Sequence, residues 1–277
     1  MFWHLLPPSW IRWMGRLPFK LSVFRPFIDM IARFLRQGEH VMAHGIGKGL
    51  RFDPAGLRAG YALGTADLEE QKVLAAWLRC GQVFYDIGAN VGFFSVLAAK
   101  LVGPTGKVYA FEPFLQNIEA IRKNAALNSF EEIIEIWHGA VSNRSGSGKL
   151  VLCESSDRFR LEDTAVNAPS ITVPLYTIDE LVLKGRLRPP DLVKIDVEGH
   201  ELQVLQGMEE TIRRYRPVIL CEVHWWVGEN EALLKELVLP LGYRIAQIDD
   251  KTMLGHLKNY HLLMIPGSVS GSRQKRM

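Results

Sequence analysis

One stretch constrains the fold more than any other. Val83-Phe84-Tyr85-Asp86-Ile87-Gly88-Ala89-Asn90-Val91-Gly92 is an apolar strand that runs into a glycine turn and opens the helical pattern Phe93 to Leu101. The alternation continues with a strand over Lys107 to Phe111, a helix over Leu115 to Leu127 and a strand over Ile133 to Trp137. A polar segment at 142–170 reads as irregular. Beyond it follow a strand at Leu192 to Ile195, a helix at Glu201 to Tyr215, a strand at Val218 to Val223 and a helix at Glu231 to Leu239. Two strands, near Tyr243 to Ile248 and Leu262 to Ile265, close the chain. Repeated strand and helix units imply an α/β fold with a doubly wound, mostly parallel sheet, whose ligands bind outside the carboxyl ends of the strands.

Upstream, Asp67 and Glu70 form a capping-box pattern for a helix ending near Leu78. Phe24, Phe27, Ile28, Ile31 and Leu35 fall at helical spacing, with Arg25, Asp29, Arg33 and Arg36 facing away. Residues 1–36 carry six Lys or Arg against Asp29 alone, and Trp3, Trp10 and Trp13 precede the helix. This basic aromatic extension either packs on the body of the protein or makes peripheral membrane contact. A net charge of +3 hides the asymmetry. With the extension and the basic residues Arg273, Lys275 and Arg276 set aside, the middle of the chain is net acidic, which argues against a nucleic-acid partner. The expected organisation is an extension over 1–64, the principal domain over 65–267 and a disordered basic tail over 268–277. No stretch reaches the ~18 apolar residues of a membrane span. Pro7, Pro8, Arg12 and Arg16 interrupt the run that a signal peptide would need. Cys80, Cys153 and Cys221 are odd in number and widely spaced, which fits a reducing compartment and a cytoplasmic location, with membrane association open through residues 1–36.

The chemistry collects at the strand ends. Gly88 and Gly92 remove Cβ atoms where the turn bends, so a ligand can approach the backbone and meet amides at the helix start. Asn90 stands where a GxGxxG dinucleotide turn places its second glycine, which leaves less room for a pyrophosphate and makes a nicotinamide oxidoreductase the weaker candidate. Asp86 beside the turn suits a ligand with an ammonium group, such as the methionine end of S-adenosylmethionine. Glu112, twenty residues beyond Gly92, ends the next strand and can accept both hydroxyls of a ribose. Lys194-Ile195-Asp196-Val197-Glu198-Gly199-His200-Glu201 and Cys221-Glu222-Val223-His224 crowd ionisable groups onto two further strand ends. There Asp196, Glu198, Glu222 and His224 can bind substrate hydroxyls and accept a proton. Glu201 has an equally good reading as an acid that favours a helix start. A divalent cation among Asp196, Glu198 and Glu222 is chemically reasonable, but no run has dedicated metal-ligand spacing, and no metal is expected.

The ordered set Asp86-Ile87-Gly88-Ala89-Asn90-Val91-Gly92, Phe111-Glu112-Pro113, Gly139-Ala140-Val141, Val173-Pro174-Leu175-Tyr176-Thr177-Ile178-Asp179 and Lys194-Ile195-Asp196-Val197-Glu198-Gly199-His200-Glu201 resembles the FkbM family of S-adenosylmethionine-dependent methyltransferases. The resemblance covers about residues 60–225. It implies the class I methyltransferase fold, a Rossmann-like seven-stranded sheet whose last strand is antiparallel, and O-methylation of a hydroxyl on a sugar, glycan or other natural product. Carried over, Asp86, Gly88, Asn90 and Gly92 would hold the methionine end of the cofactor and Glu112 its ribose. Ala140 would offer its amide near the adenine. His224 or Glu222 is the first choice of base, with Asp196 nearest the cofactor. A degenerate member acting as a membrane-surface scaffold is the remaining alternative, and intact acids at three strand ends argue against it.

Overall fold

A computed structural model of the chain describes residues 25–152, 159–162, 170–224, 230–248 and 259–267. Trp3, Trp10, Trp13, Cys153, the Trp225-Trp226 pair and the basic tail lie outside the described residues. In chain order the elements are α1 (Arg25–Arg36), β1 (His40–Val41), β2 (Arg51–Phe52), α2 (Ala59–Leu63), α3 (Leu68–Trp77), β3 (Val83–Ile87), α4 (Phe93–Val102), β4 (Lys107–Glu112), α5 (Leu115–Ala126), β5 (Ile134–His138), β6 (Ala140–Val141), β7 (Gly146–Leu152), β8 (Phe159–Glu162) and β9 (Ser170–Tyr176). They continue with α6 (Ile178–Leu183), β10 (Leu192–Ile195), α7 (Glu201–Gln206), α8 (Glu209–Tyr215), β11 (Val218–Val223), α9 (Asn230–Val238), β12 (Tyr243–Gln247) and β13 (Tyr260–Pro266).

The principal sheet has seven strands in the order β12-β13-β11-β10-β3-β4-β5. β13 runs antiparallel to both β11 and β12, while β11, β10, β3, β4 and β5 pair in parallel. This is the arrangement that the resemblance implies, including the antiparallel last strand. β3 is buried along its whole length, and its side chains alternate between two cores. Phe84 packs with Leu74, Val96, Leu97 and Ile121 from α3, α4 and α5. Tyr85 and Ile87 pack with Leu181, Val204, Ile212 and Leu234 from α6 to α9. Each such side chain contributes about 1.5–3 kcal/mol on burial, so both faces must be covered and the strand ends are left as the open edge. Asp86 and Lys194 are register partners on the face that Phe84 shares, and they sit at that open edge.

The extension is tied to this body. Met42 and Phe52 belong to the principal core, and α1 packs on α2 through Leu35, Ala62 and Leu63. The side chain of Gln71 accepts from the Ile46 amide at 3.0 Å and donates to Gly64 O at 3.1 Å and Ala66 O at 2.6 Å, which clamps residues 46–66 onto α3.

Three local expectations need correction. The segment 142–170 contributes β7 and β8 to a four-stranded sheet ordered β6-β9-β7-β8. Its start, Gly146-Ser147-Gly148, carries no alternating apolar signal, and the pairing with β9 supplies the register instead. The helix expected over Glu201 to Tyr215 is two helices. A Cβ on Gly207 would stand 2.0 Å from Ser142 O, and the carboxylate of Asp179 caps the second helix by accepting from the amides of Glu210 at 3.0 Å and Thr211 at 2.7 Å. Asp67 makes no capping bond. It lies at φ +48°, its carboxylate pairs with Arg58, and Glu70 turns inward to His261 at 3.0 Å.

Candidate active site

Two cavities open at the carboxyl ends of β3, β4, β10 and β11, and Gly88, Asn90 and Asp196 line both. Glu112, Asn117, Gly139, Ala140 and Leu150 complete one; Asp86, Lys194, Glu222, His261, Arg58 and Tyr61 are among those completing the other. The sequence places a ligand here, and the structure brings the residues from four strand ends together.

The turn after β3 is held under close constraint. Gly88 has φ +82°, and a Cβ there would lie 1.9 Å from the carbonyl oxygen of Asp196. Gly92 has φ +81°, with Ile121 side-chain atoms 3.2 Å from a built Cβ. Asn90 adopts φ +50° without being glycine, as does Glu198 at the end of β10. The first three amides of this turn are engaged within the protein. Those of Gly88 and Ala89 donate to Phe111 O at 3.0 Å each, and that of Asn90 donates to Glu112 Oε2 at 2.8 Å.

Glu112 is buried, and its Oε1 accepts from the Phe114 amide at 2.9 Å and Asn117 Nδ2 at 3.2 Å. A carboxylate offers about four acceptor directions, so these three bonds leave one, on Oε2. Burial pushes its carboxyl up to about 7 in spite of the amide bonds that favour the charged form. Glu112 Oε2 therefore keeps an acceptor direction for a ribose hydroxyl. Gly139 and Ala140 line the same cavity, and Gly139 at φ +152° leaves no space for a side chain beside Tyr176 and Pro174.

On the other side, Asp86 is 1% exposed, and its Oδ2 accepts from Ser95 Oγ at 2.6 Å, while its Oδ1 is buried with no protein partner. Burial raises its pKa, and Lys194 works against that rise. Lys194 Nζ lies 3.0 Å from Asp196 Oδ2 and 4.8 Å over the ring of Phe94. Burial disfavours its charge, but Asp196, Asp86 and Glu222 outweigh that and keep it an ammonium. Burial and the neighbouring Glu222 raise Asp196 well above the ordinary carboxylate range, while Lys194 and His224 oppose them. Glu222 goes the other way. Burial would raise it, but His261, 3.6 Å away, and His224 hold it strongly acidic, and Asn259 Nδ2 donates to it at 2.8 Å.

His224 is 1% exposed and lines neither cavity. Its Nδ1 is 2.6 Å from Glu201 Oε1, its Nε2 is 3.3 Å from Glu198 Oε2, and Glu222 Oε1 is 3.9 Å away. Burial disfavours the charged imidazole, yet Glu201, Glu222 and Asp196 raise its pKa above the ordinary value. Glu201, fully buried, thus serves His224 rather than merely the helix start. Asp196, Glu198 and His224 offer ligand atoms within 4.8 Å of one another, a spacing a cation could bridge.

A family model described as the methyltransferase FkbM domain matches residues 86–245, more than half of the chain. The chain belongs to this FkbM methyltransferase family. Two curated relatives illustrate its breadth. The hexuronic acid methyltransferase AglP of Haloferax volcanii is 28% identical over 179 residues, covering 64% of this chain and 71% of that protein. The 31-O-demethyl-FK506 methyltransferase FkbM of Streptomyces tacrolimicus is 27% identical over 194 residues, covering 57% of this chain and 72% of its own. The solved structure of methyltransferase FkbM from Methylobacillus flagellatus matches at TM-score 0.47 and 14% identity, over 74% of this chain and 52% of that one. This chain therefore spans about half the length of that structure.

The FkbM motifs account for Asp86, Gly88, Asn90, Glu112, Ala140, Asp196 and Glu198 in the cavity walls, while Gly92 lines neither cavity and packs against Ile121. The sequence counts Lys194 among the ionisable strand ends without giving it a role, reads Glu70 as a helix cap and marks nothing at Arg58, Tyr61 or His261. Lys194 was accessible by strand alternation, since a two-residue step from Asp196 keeps it on the same face. The others arrive from distant segments, and nothing local marks them for this cavity.

Proposed function

We propose that this FkbM-family methyltransferase transfers a methyl group from S-adenosylmethionine to a hydroxyl of a sugar, glycan or other small natural product. The family supplies the reaction class and the cofactor. The relatives named for a hexuronic acid and for an O-demethyl natural product support the acceptor class. The observation that carries the reading is Asp196, which lines both cavities, between the Asp86 end proposed for the amino-acid part of the cofactor and the Glu112 end proposed for its ribose, where the methyl group would lie.

The residues fit the cofactor. The unpartnered, buried Asp86 Oδ1 is an acceptor for its ammonium, Glu112 Oε2 for a ribose hydroxyl, and Gly139 and Ala140 line the cavity where its base would lie. When bound, S-adenosylmethionine supplies an electrophilic methyl group on a positively charged sulfur. Asp196 then accepts the proton of the acceptor hydroxyl on Oδ1, while Lys194 fixes Oδ2. Glu222 is too acidic for that task, and His224 reaches the cavity only through the carboxylates in front of it. Alignment of hydroxyl and methyl supplies most of the acceleration.

Asp86→Asn is expected to weaken S-adenosylmethionine binding about tenfold to a hundredfold, because it removes a charge-assisted bond of about 1.5–3 kcal/mol. Isothermal titration calorimetry measures this, and unchanged affinity would remove Asp86 from the cofactor site. The reaction is proposed to need no metal. The Lys194 ammonium 3.0 Å from Asp196 already supplies the local positive charge and would repel a dication. Full turnover after dialysis against EDTA is expected; loss that Mg²⁺ restores would overturn the metal-free scheme.

The cytoplasmic location is part of the same proposal; no helix among the described residues is long and apolar enough to cross a membrane. On α1, Leu35 is buried while Met30 and Phe34 are 57% and 68% exposed, an apolar pair beside Arg33 and Arg36. That face supports peripheral membrane contact by residues 1–36. The full chain should co-sediment with anionic vesicles and lose that property on Met30→Ser with Phe34→Ser; equal sedimentation of both proteins would contradict it.

A further inference from the structure

Resting on the cofactor reading above, we propose that Arg58 binds the α-carboxylate at the methionine end of S-adenosylmethionine. Asp86 sets the requirement. If its unpartnered Oδ1 receives the ammonium of an α-amino acid, the carboxylate on the same carbon lies in the same cavity and needs its own partner. The Gly88, Ala89 and Asn90 amides of the turn after β3 donate to Phe111 and Glu112 and so do not provide one.

Three basic side chains line this cavity: Lys194, His261 and Arg58. Lys194 faces Asp196 at 3.0 Å with Asp86 and Glu222 nearby, and His261 lies between Glu70 at 3.0 Å and Glu222 at 3.6 Å. A further carboxylate at either would meet two or three negative charges. Arg58 faces one, Asp67, which it contacts through Nη1 at 2.9 and 3.0 Å. The guanidinium carries five donors in a planar fork, so its bonds to Asp67 and to Tyr61 leave further donors for a second carboxylate.

The position is also built. The Arg58 guanidinium lies 5.3 Å from the centroid of the Tyr61 ring, and Tyr61 stacks on Phe93 at 4.5 Å and 27°. Phe93 begins α4 immediately after the Gly92 turn, so the stack fixes Arg58 relative to the cofactor turn. Arg58 and Tyr61 belong to the segment ahead of α3, upstream of the residues 86–245 that carry the family match.

The test compares S-adenosylmethionine with its decarboxylated analogue by calorimetry, on wild type, Arg58→Ala and Arg58→Lys, with thermal unfolding to confirm that each variant folds. Wild type should prefer S-adenosylmethionine at least tenfold. Arg58→Ala should lower that affinity about tenfold to a hundredfold while leaving the analogue within threefold of wild type, and Arg58→Lys should fall between. Equal weakening of both compounds, or of neither, overturns the assignment while sparing the cofactor reading. Unchanged cofactor affinity with a raised KM for a uronic-acid acceptor would give Arg58 to the acceptor's carboxylate and equally overturn it. Binding of neither compound to wild type overturns both.

Discussion

Asp196→Asn should lower turnover by ~10²–10⁴ and leave the affinity for S-adenosylmethionine within roughly threefold of wild type, because a general base acts only as the hydroxyl proton departs. Asparagine keeps the shape and the contact with Lys194 but cannot take a proton. The raised pKa of Asp196 is useful here, since a carboxylate with greater proton affinity is a better base near neutrality. The sign of the pH dependence follows. Asp196 must be ionised to act, so kcat should be low in acid and rise with pH through a midpoint above the ordinary carboxylate range. Losing that limb in Asp196→Asn would support the assignment. His224→Ala should have the smaller effect, about tenfold, since His224 touches Glu198 and Glu222 rather than the cavity. If the order of the two variants is reversed in single-turnover kinetics, His224 is the base and Asp196 is not.

Gly88→Ala should cost more in folding than any conservative change at the site. The added Cβ would stand 1.9 Å from the backbone carbonyl of Asp196, the residue after β10, and neither strand can retreat because β3 and β10 pair along Val193↔Tyr85, Lys194↔Asp86 and Ile195↔Ile87. Overpacking of this kind costs about 1–3 kcal/mol, and a positive φ adds roughly 1–2 kcal/mol for a residue with a side chain. Together these approach the lower end of the roughly 5–15 kcal/mol by which domains are stable. Urea unfolding should show the midpoint falling well below that of wild type, with S-adenosylmethionine binding lost or severely weakened. A stability within 0.5 kcal/mol of wild type, roughly the range of a neutral surface change, would show that the turn is not held as described.

Most of the sheet was legible because its signals are local. An apolar run such as Val83 to Ile87 followed by two glycines needs no tertiary information to read as a strand entering a turn, and the acids Asp86, Glu112 and Asp196 then fall at strand ends by position alone. The hairpin of β7 and β8 was not, because Gly146-Ser147-Gly148 leaves its pairing to β9. The break at Gly207 was equally hidden, since Ser142 blocks the position and Asp179 caps the next helix from 31 and 32 residues away. In the site, burial decided what residue type could not. His224 ends a strand beside Glu222, but Glu201 draws its Nδ1 into the core, and the exposed role passes to Asp196. Glu70 and His261 meet at 3.0 Å from opposite ends of the chain, a pairing that only the fold creates.

Methyl-labelled S-adenosylmethionine, incubated with the full chain and a panel of uronic acids, neutral glycosides and polyol natural products, addresses the central claim most directly when the labelled product is analysed by mass spectrometry and NMR. The account predicts label in a methyl ether on an acceptor hydroxyl, formed by wild type and almost absent with Asp196→Asn. Label found only on nitrogen or carbon, or equal product from both proteins, would contradict it.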